Sequence, residues 1–358
     1  MNTFGRALRI TTFGESHGVG IGVVIDGLPS AVAISVEAIQ AELDRRRPGA
    51  SPYTSPRQEA DRVEVLSGLY EGRTTGAPLA LWIANTDARP ADYAKLAQLY
   101  RPSHADFTYA LKYGHTDPRG GGRSSARETA ARVAAGAVAQ QFLHQTVPDL
   151  QIVAWSCAIG PFATAYRPAD RTEVERSPVR CPDPVVSAEM ERYLAELQAA
   201  GDTTGGVIAV EVHGVPPGLG EPIYDKLPAR LAYAMLSINA ARGFEIGEGF
   251  AAASTLGSVH NDPFHKDPSG RIRPATNHAG GVLGGISTGE PLFFRVAFKP
   301  IATLRQPQRT VTRHGEEVEF IAEGRHDPCP VPRAVPIVEA MTALVLADFI
   351  LLNRLYKS

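Results

Sequence analysis

With 358 residues, 44% of them hydrophobic and 21% charged, the chain can bury one large core or two ordinary ones, and it reads as globular. A formal net charge of -2 excludes a global field that would draw it onto nucleic acid or an anionic membrane, so an anion site has to be built locally. Cys157, Cys181 and Cys329 are odd in number and lack CxxC spacing, which argues against a disulfide framework or a zinc site.

The first residues carry no basic segment followed by an apolar run and cleavage site, and they are not a transit peptide. The stretch from Met341 to Leu352 is interrupted by Asp348 and is too short to span a bilayer. The expectation is a cytoplasmic protein with no membrane and no nucleic-acid partner.

In chain order, Gly14-Glu15-Ser16-His17-Gly18 precedes a strand at Gly22 to Asp26. Val36, Ile39 and Leu43 share one helical face that ends in Arg45-Arg46-Arg47 and stops at Pro48-Gly49. A second strand is expected at Leu79 to Ala84. Ser125-Ala126-Arg127-Glu128 has the capping-box form and opens an Ala-rich helix through about Leu143.

Ser187 to Ala200 gives a further helix closed by Gly201. Val207 to Val212 and Phe293 to Phe298 read as strands, Leu227 to Ile238 as a helix, and Pro336 to Leu355 as the last helix. Helices that are apolar nearly all round are buried on both sides, which points to an α/β fold with helices enclosed between sheets.

Two matched pairs of segments run in the same order. Gly14 to Gly18 with Gly27-Leu28-Pro29 is echoed by Gly201 to Gly205 with Gly214-Val215-Pro216, and Gly72 to Leu79 by Gly285 to Leu292. They suggest a single domain, 1–358, with an internal pseudo-twofold repeat of halves at about 1–150 and 151–358.

The segment Tyr113 to Glu128 places three glycines just before a capped helix, where backbone amides can approach an anion. Arg119, Arg123 and Arg127 suit phosphate or carboxylate oxygens. The segment superficially resembles an RGG-type RNA-binding tract, but it is brief and runs straight into a helix. His17 among glycines and His104 beside Arg101 are candidate general acids near neutral pH. Gly324-Arg325-His326-Asp327 joins an acid, an imidazole and an arginine just before Pro330, Pro332 and Pro336 stiffen the entry to the last helix.

These segments, together with RRRPG at 45–49, RPSHAD at 101–106, SINAARGFEIGEGF at 237–250, NHAGGVLGGISTGEP at 277–291 and GRHDPCPVPRAVP at 324–336, resemble in order the motifs of the chorismate synthase family. The resemblance covers residues 14 to 336. It implies a β-α-β sandwich with helices between two largely antiparallel sheets, and a homotetramer. The reaction it implies is the 1,4-anti elimination of phosphate from 5-enolpyruvylshikimate 3-phosphate to give chorismate, the last common step of the shikimate pathway to the aromatic amino acids, requiring reduced FMN. Another FMN-dependent oxidoreductase acting on an anionic small molecule is the alternative.

By position, His17 and His104 match the family's catalytic histidines, one protonating the departing phosphate and the other the reduced flavin. Asp327 matches the acid that helps take up the C6 proton, and Ser16 falls in the same site. The resemblance gives the cofactor Arg123, Ser124, Ser125, Asn239, Ala240, Gly284, Lys299, Pro300, Ile301, Ala302, Thr303 and Arg325. Arg46 matches a position associated with NADPH as flavin reductant. The substrate anions are expected to meet Arg47, Arg101 and Arg127.

Two departures stand out. Lys299 to Thr303 keeps one hydroxyl where relatives are richer in them, and Pro52 replaces a basic residue. No appended domain or Rossmann-like segment suggests self-sufficiency, and two expectations stand side by side: reduction of the flavin by the chain itself with NADPH, as in bifunctional family members, or by an external flavin reductase as partner.

Overall fold

The computed structural model describes residues 1–49, 53, 59–86, 98–117, 120–168, 170–322, 327–354 and 356. Pro52, Arg119, Arg325 and His326, with the roles expected of them, lie outside the described residues.

Two five-stranded antiparallel sheets frame the molecule. The first contains β1 (Thr3–Phe4), β2 (Arg9–Gly14), β3 (Gly20–Asp26), β4 (Val63–Ser67) and β5 (Leu79–Ala84), in the order β1-β2-β3-β5-β4. The second contains β6 (Gln151–Ile159), β7 (Phe162–Ala163), β8 (Gly206–His213), β9 (Ala241–Ile246) and β10 (Leu292–Phe298), in the order β9-β10-β8-β6-β7. In β5 and β10 burial alternates residue by residue, so each presents one face to the core. The registers pair apolar residues across the ladders, Val23 with Leu81 and Val210 with Phe294.

The principal helices are α1 (Val36–Arg46), α2 (Asp106–Tyr113), α3 (Thr129–Thr146), α4 (Pro184–Ala200), α5 (Leu227–Leu236) and α6 (Val331–Asn353). Between the sheets α3 and α6 pack on each other, α3 also touching β3 and β5 and α6 touching β6 and β8. Helices enclosed between two antiparallel sheets are the architecture expected from their apolar circumference. At the crossing, a Cβ on Gly136 would stand 2.3 Å from the Ala340 Cβ, so the two backbones approach as closely as they do because residue 136 has no side chain.

Leaving aside α2, β7 and α4, which lie between them, the elements β2-β3-α1-β4-β5-α3 are followed by β6-β8-α5-β9-β10-α6. The sheets keep the matching orders β2-β3-β5-β4 and β6-β8-β10-β9. The segments that echo each other in sequence lead into β3 and β8, and into β5 and β10.

Several boundaries differ from the sequence expectation, each for a local reason. The helix after Ser125 is preceded by two short turns, Gly122–Ser124 and Ala126–Glu128. Ser125 Oγ accepts from Arg127 N at 3.3 Å, but the Glu128 carboxylate turns to Thr12 (2.9 Å) and Arg132 (2.8 Å), so no reciprocal capping box forms. Helix α4 begins three residues early because Asp183 caps Val185 and Val186, with Pro184 in the first turn.

Helix α6 starts at Val331, with Pro332 and Pro336 inside it. Pro336 has no N–H for the carbonyl of Pro332, and the Arg180 guanidinium takes that carbonyl instead. At 23 residues α6 is long and apolar enough to cross a membrane, its most apolar 18-residue stretch having a mean hydropathy of 2.1, yet 89% of that stretch is buried within the protein. Asp348 within it accepts the main-chain N–H groups of Arg6, Ala7 and Leu8 and so ties the N-terminal segment to the core helix.

Candidate active site

The loop between β2 and β3 carries the first histidine. Ser16 and His17 are buried, 1% and 7% exposed, and Ser16 Oγ lies 3.0 Å from His17 Nδ1. Gly18 N donates to Glu15 O at 3.2 Å, closing the turn that holds them.

The glycine-rich segment leans on this loop. Gly120, Gly121 and Gly122 all have positive φ (69°, 94° and 52°), and a Cβ on Gly120 would stand 1.9 Å from His17 Nδ1. Only glycine can take that backbone conformation in that space without displacing the imidazole. Ser124 Oγ donates to Gly121 O at 2.7 Å and fixes the turn. Arg123 donates to Gly14 O, to Thr12 O and Oγ1 and to Asn2 Oδ1 at 2.7–3.2 Å, which fastens the segment to β2.

A second wall is built from the other half of the chain. Asn239 Nδ2 donates to Ser124 O at 2.8 Å, Ala240 adopts φ 67°, and Lys299 N donates to Ala240 O at 2.9 Å. Burial, with Arg242 nearby, pulls the Lys299 ammonium below its ordinary value. Pro300 O faces Lys299 Nζ at 3.5 Å, Ile301 O accepts from Thr203 Oγ1 at 2.7 Å, and Ala302 and Thr303 are half-buried.

Thr303 meets the second histidine, its Oγ1 lying 3.1 Å from His104 Nε2. His104 Nδ1 lies 3.0 Å from Pro102 O, and a carbonyl only accepts, so Nδ1 carries the hydrogen and Nε2 of the neutral ring is the acceptor for Thr303. Burial, then the neighbouring Arg101, push His104 below its ordinary 6.5, so the ring is neutral at pH 7. Arg101 grips Asp106 with two hydrogen bonds of 2.6 Å, and its Nη2 lies 4.0 Å from where a Cβ on Gly121 would stand. The glycine-rich segment thus borders the loops of both histidines.

Behind this surface lies a buried charge cluster. Asp61, with its carboxylate 0% exposed, takes Arg46 Nη1 at 3.0 Å and Arg127 Nη1 at 2.6 Å. Arg46 is 1% exposed and its other two nitrogens reach Thr129 Oγ1 (3.2 Å) and Ala126 O (2.8 Å). Arg127 is 5% exposed and also donates to Asn85 Oδ1 (2.5 Å) and Ala84 O (3.2 Å). Both were expected at ligands on sequence grounds; the fold turns them inward, against Asp61.

Asp327 is 7% exposed, with Arg333 Nη1 2.6 Å from its Oδ2, and Arg333 Nε donates to Arg46 O at 3.4 Å. Arg47 is half exposed, 3.7 Å from Asp44. Gly284 is exposed at the tip of the hairpin between Val282–Leu283 and Ile286–Ser287, and a Cβ there would meet nothing within 4 Å.

Sequence reading missed Asp61, Asn85 and Arg333. Asn85 had a signal, a polar amide at the carboxyl end of an apolar strand. Asp61 had none, since it lies in neither a periodic segment nor a motif.

The residues matched to a cofactor fit a planar group with hydrogen-bonding edges and a phosphate. Among the described residues Asn239 Oδ1 is buried without a hydrogen-bond partner, while its Nδ2 holds Ser124 O and the neighbouring Ala240 O holds Lys299 N. The described residues thus form an α/β sandwich in which one glycine-rich segment borders the loops of both candidate histidines, as expected of a protein that holds a small ligand there.

Comparison with known proteins sharpens that class. The family model for chorismate synthase matches residues 8–351. A chorismate synthase from Opitutus terrae is 55% identical, over 97% of this chain and 96% of its own. One from Parabacteroides distasonis is 53% identical over 99% of both. A crystal structure of chorismate synthase superposes with a TM-score of 0.77 at 34% identity, covering 98% of this chain and 93% of that one. The chain belongs to the chorismate synthase family, and so to carbon–oxygen lyases that form chorismate with a flavin in the site.

Proposed function

We propose that the chain eliminates phosphate from 5-enolpyruvylshikimate 3-phosphate, in the 1,4-anti sense, using reduced FMN held by Ser124, Ser125, Asn239, Ala240, Lys299 to Thr303 and Arg325. Reduced FMN, when bound, lends electron density to the substrate without net redox change. What supports the reading above all is that each histidine abuts a different wall: His17 packs on Gly120 of the anion cradle, and His104 meets Thr303 of the cofactor segment.

His17 is accordingly assigned to the departing phosphate. Ser16 Oγ at Nδ1 keeps the ring oriented for delivery of a proton. His104 serves the cofactor side: with Nδ1–H held by Pro102 O, proton exchange is confined to Nε2. Asp327, one oxygen fixed by Arg333, assists removal of the C6 proton. Arg101 and Arg47 contribute positive charge toward the substrate's anionic groups. Arg46 and Arg127 act from behind, by holding Ala126 and Asn85, and Arg46 is not assigned to NADPH.

NADPH serves as the ultimate reductant through an external flavin reductase, and the protein assembles as a homotetramer. Exposed Phe250, Leu256, Val259, Phe264 and Ile272 supply apolar surface for assembly. The thiols suit a reducing cytoplasm: burial pushes Cys157 and Cys181 up to about 11 and Cys329 up to about 12, so none is a reactive thiolate.

Anaerobic protein supplied with substrate and reduced FMN should release phosphate over many turnovers per flavin. Stoichiometric NADPH consumption per product, or release by aerobic protein without reduced flavin, would contradict the reading.

A further inference from the structure

Asn85 follows β5 directly and is half-buried between the two segments that meet at His17. Both amide hydrogens and the amide oxygen are engaged. Nδ2 donates to Glu15 O at 2.9 Å and to Gly18 O at 2.8 Å, the two ends of the turn that contains Ser16 and His17. Oδ1 accepts from Arg127 Nε at 2.5 Å, and the main-chain N–H donates to Val19 O at 3.1 Å.

No other side chain of this length offers two donors and an acceptor on one planar group. Aspartate keeps the acceptor and loses both donors, setting a carboxylate against two carbonyls.

We propose that Asn85 is a positioning residue for the elimination: it clamps the His17 turn at both ends and locks it to Arg127, so that the imidazole and the glycine-rich segment keep one mutual placement. The proposal rests on the assignment of His17 as an acid for the departing phosphate. It concerns a residue whose side chain bonds to Glu15 O, Gly18 O and Arg127 and which acts through His17.

The geometry supports this beyond a general role in packing. Gly120 leaves the His17 ring no slack on one side, since a Cβ there would lie 1.9 Å from Nδ1, and Asn85 fixes the backbone of the same turn through both of its bounding carbonyls. Arg127, the third partner, is itself pinned by the buried Asp61 carboxylate. The path Asp61, Arg127, Asn85, Glu15 O and Gly18 O thus transmits a rigid anchor to the turn. Loss of the clamp would let His17 drift, and a displacement on the order of 1 Å costs about 100-fold in rate.

A double-mutant cycle on the flavin-loaded, full-length protein is the test, with Asn85→Ala, His17→Ala and the pair compared by kcat and KM. Asn85→Ala should lower kcat about 10- to 100-fold with KM changed less than about threefold, while in the His17→Ala background it should lower kcat less than about threefold more. Asn85→Asp should behave like Asn85→Ala, because it loses the same two donors. The His17 ring resonance, followed by NMR in 13C-histidine-labelled protein, should shift in both variants without any substrate present.

Equal losses in both backgrounds, or an unshifted His17 resonance, would overturn the proposal. Collapse of the fold in both variants would overturn it too, by making Asn85 a residue of stability instead of placement. If His17→Ala itself leaves kcat intact, the assignment of His17 fails, and a shifted resonance in Asn85→Ala would still uphold the clamp as geometry.

Discussion

Replacing Asp61 with asparagine tests how much of the site's rigidity comes from buried charge. Asp61 sits at φ 44°, a left-handed conformation that asparagine tolerates as well as aspartate, so the substitution removes charge without adding backbone strain. It leaves the guanidiniums of Arg46 and Arg127, both at most 5% exposed, with no full counter-charge; Glu59, 3.7 Å from Arg127, compensates only in part. Removing one partner of a buried ion pair costs about 3–5 kcal/mol, a large share of the ~5–15 kcal/mol that holds a typical domain folded.

Urea unfolding at fixed protein concentration measures the cost, and the pH dependence tests its origin. Burial alone would raise the Asp61 carboxyl, but Arg46 and Arg127 override it and hold the group below its ordinary 3.8. A carboxyl whose folded value is depressed contributes stability that is complete above the unfolded value and is lost as pH falls through the folded one. The gap between native protein and Asp61→Asn should therefore be full at pH 7 and shrink only below about 3.8. A gap under about 0.5 kcal/mol, as at exposed pairs, or one that shrinks already between pH 7 and 5, would refute the reasoning.

Three further outcomes follow from particular contacts. Gly120→Ala should lower kcat about tenfold or more, read in steady-state kinetics, because its Cβ would intrude on His17 at a backbone φ of 69°. Gly136→Ala, which in an exposed helix would stabilise by about 1 kcal/mol, should here destabilise by about 1–3 kcal/mol in urea unfolding, since the new methyl meets Ala340. His104 should titrate below 6.5 by NMR, and Arg101→Gln should move it upward, because burial and the Arg101 charge both disfavour the imidazolium.

The parts of the fold legible in sequence are those where one periodicity acts undisturbed. Strands β3, β5, β8 and β10 were each bounded by glycine or proline and lay within one or two residues of their places. Helix α1 ended where Arg45, Arg46 and Pro48 said it should. Strand β2 escaped notice because Thr11, Thr12 and Phe13 carry weak alternation, and its buried face is completed by Glu128 and Arg123 from far along the chain. The start of α6 was misjudged because Pro336 argues against a helix unless something satisfies the carbonyl it frees, and Arg180, more than 150 residues away, does so.

For the candidate site, the motifs named residues but carried no information on which way their side chains turn. His17, His104 and Thr303 lie against the glycine-rich and cofactor segments, whereas Arg46, Arg123 and Arg127, the same residue type in equally suggestive places, spend their hydrogen bonds within the protein. An arginine's direction depends on where its carboxylate sits, and Asp61 is not local to either of its partners' motifs.

Anaerobic phosphate release from 5-enolpyruvylshikimate 3-phosphate with dithionite-reduced FMN, compared between native protein, His17→Ala and His104→Ala, reads the elimination and both proposed acids at once. Rapid release by the native protein that both substitutions cripple is the predicted result. No release from folded, flavin-loaded native protein, or release that survives both substitutions, would contradict the account.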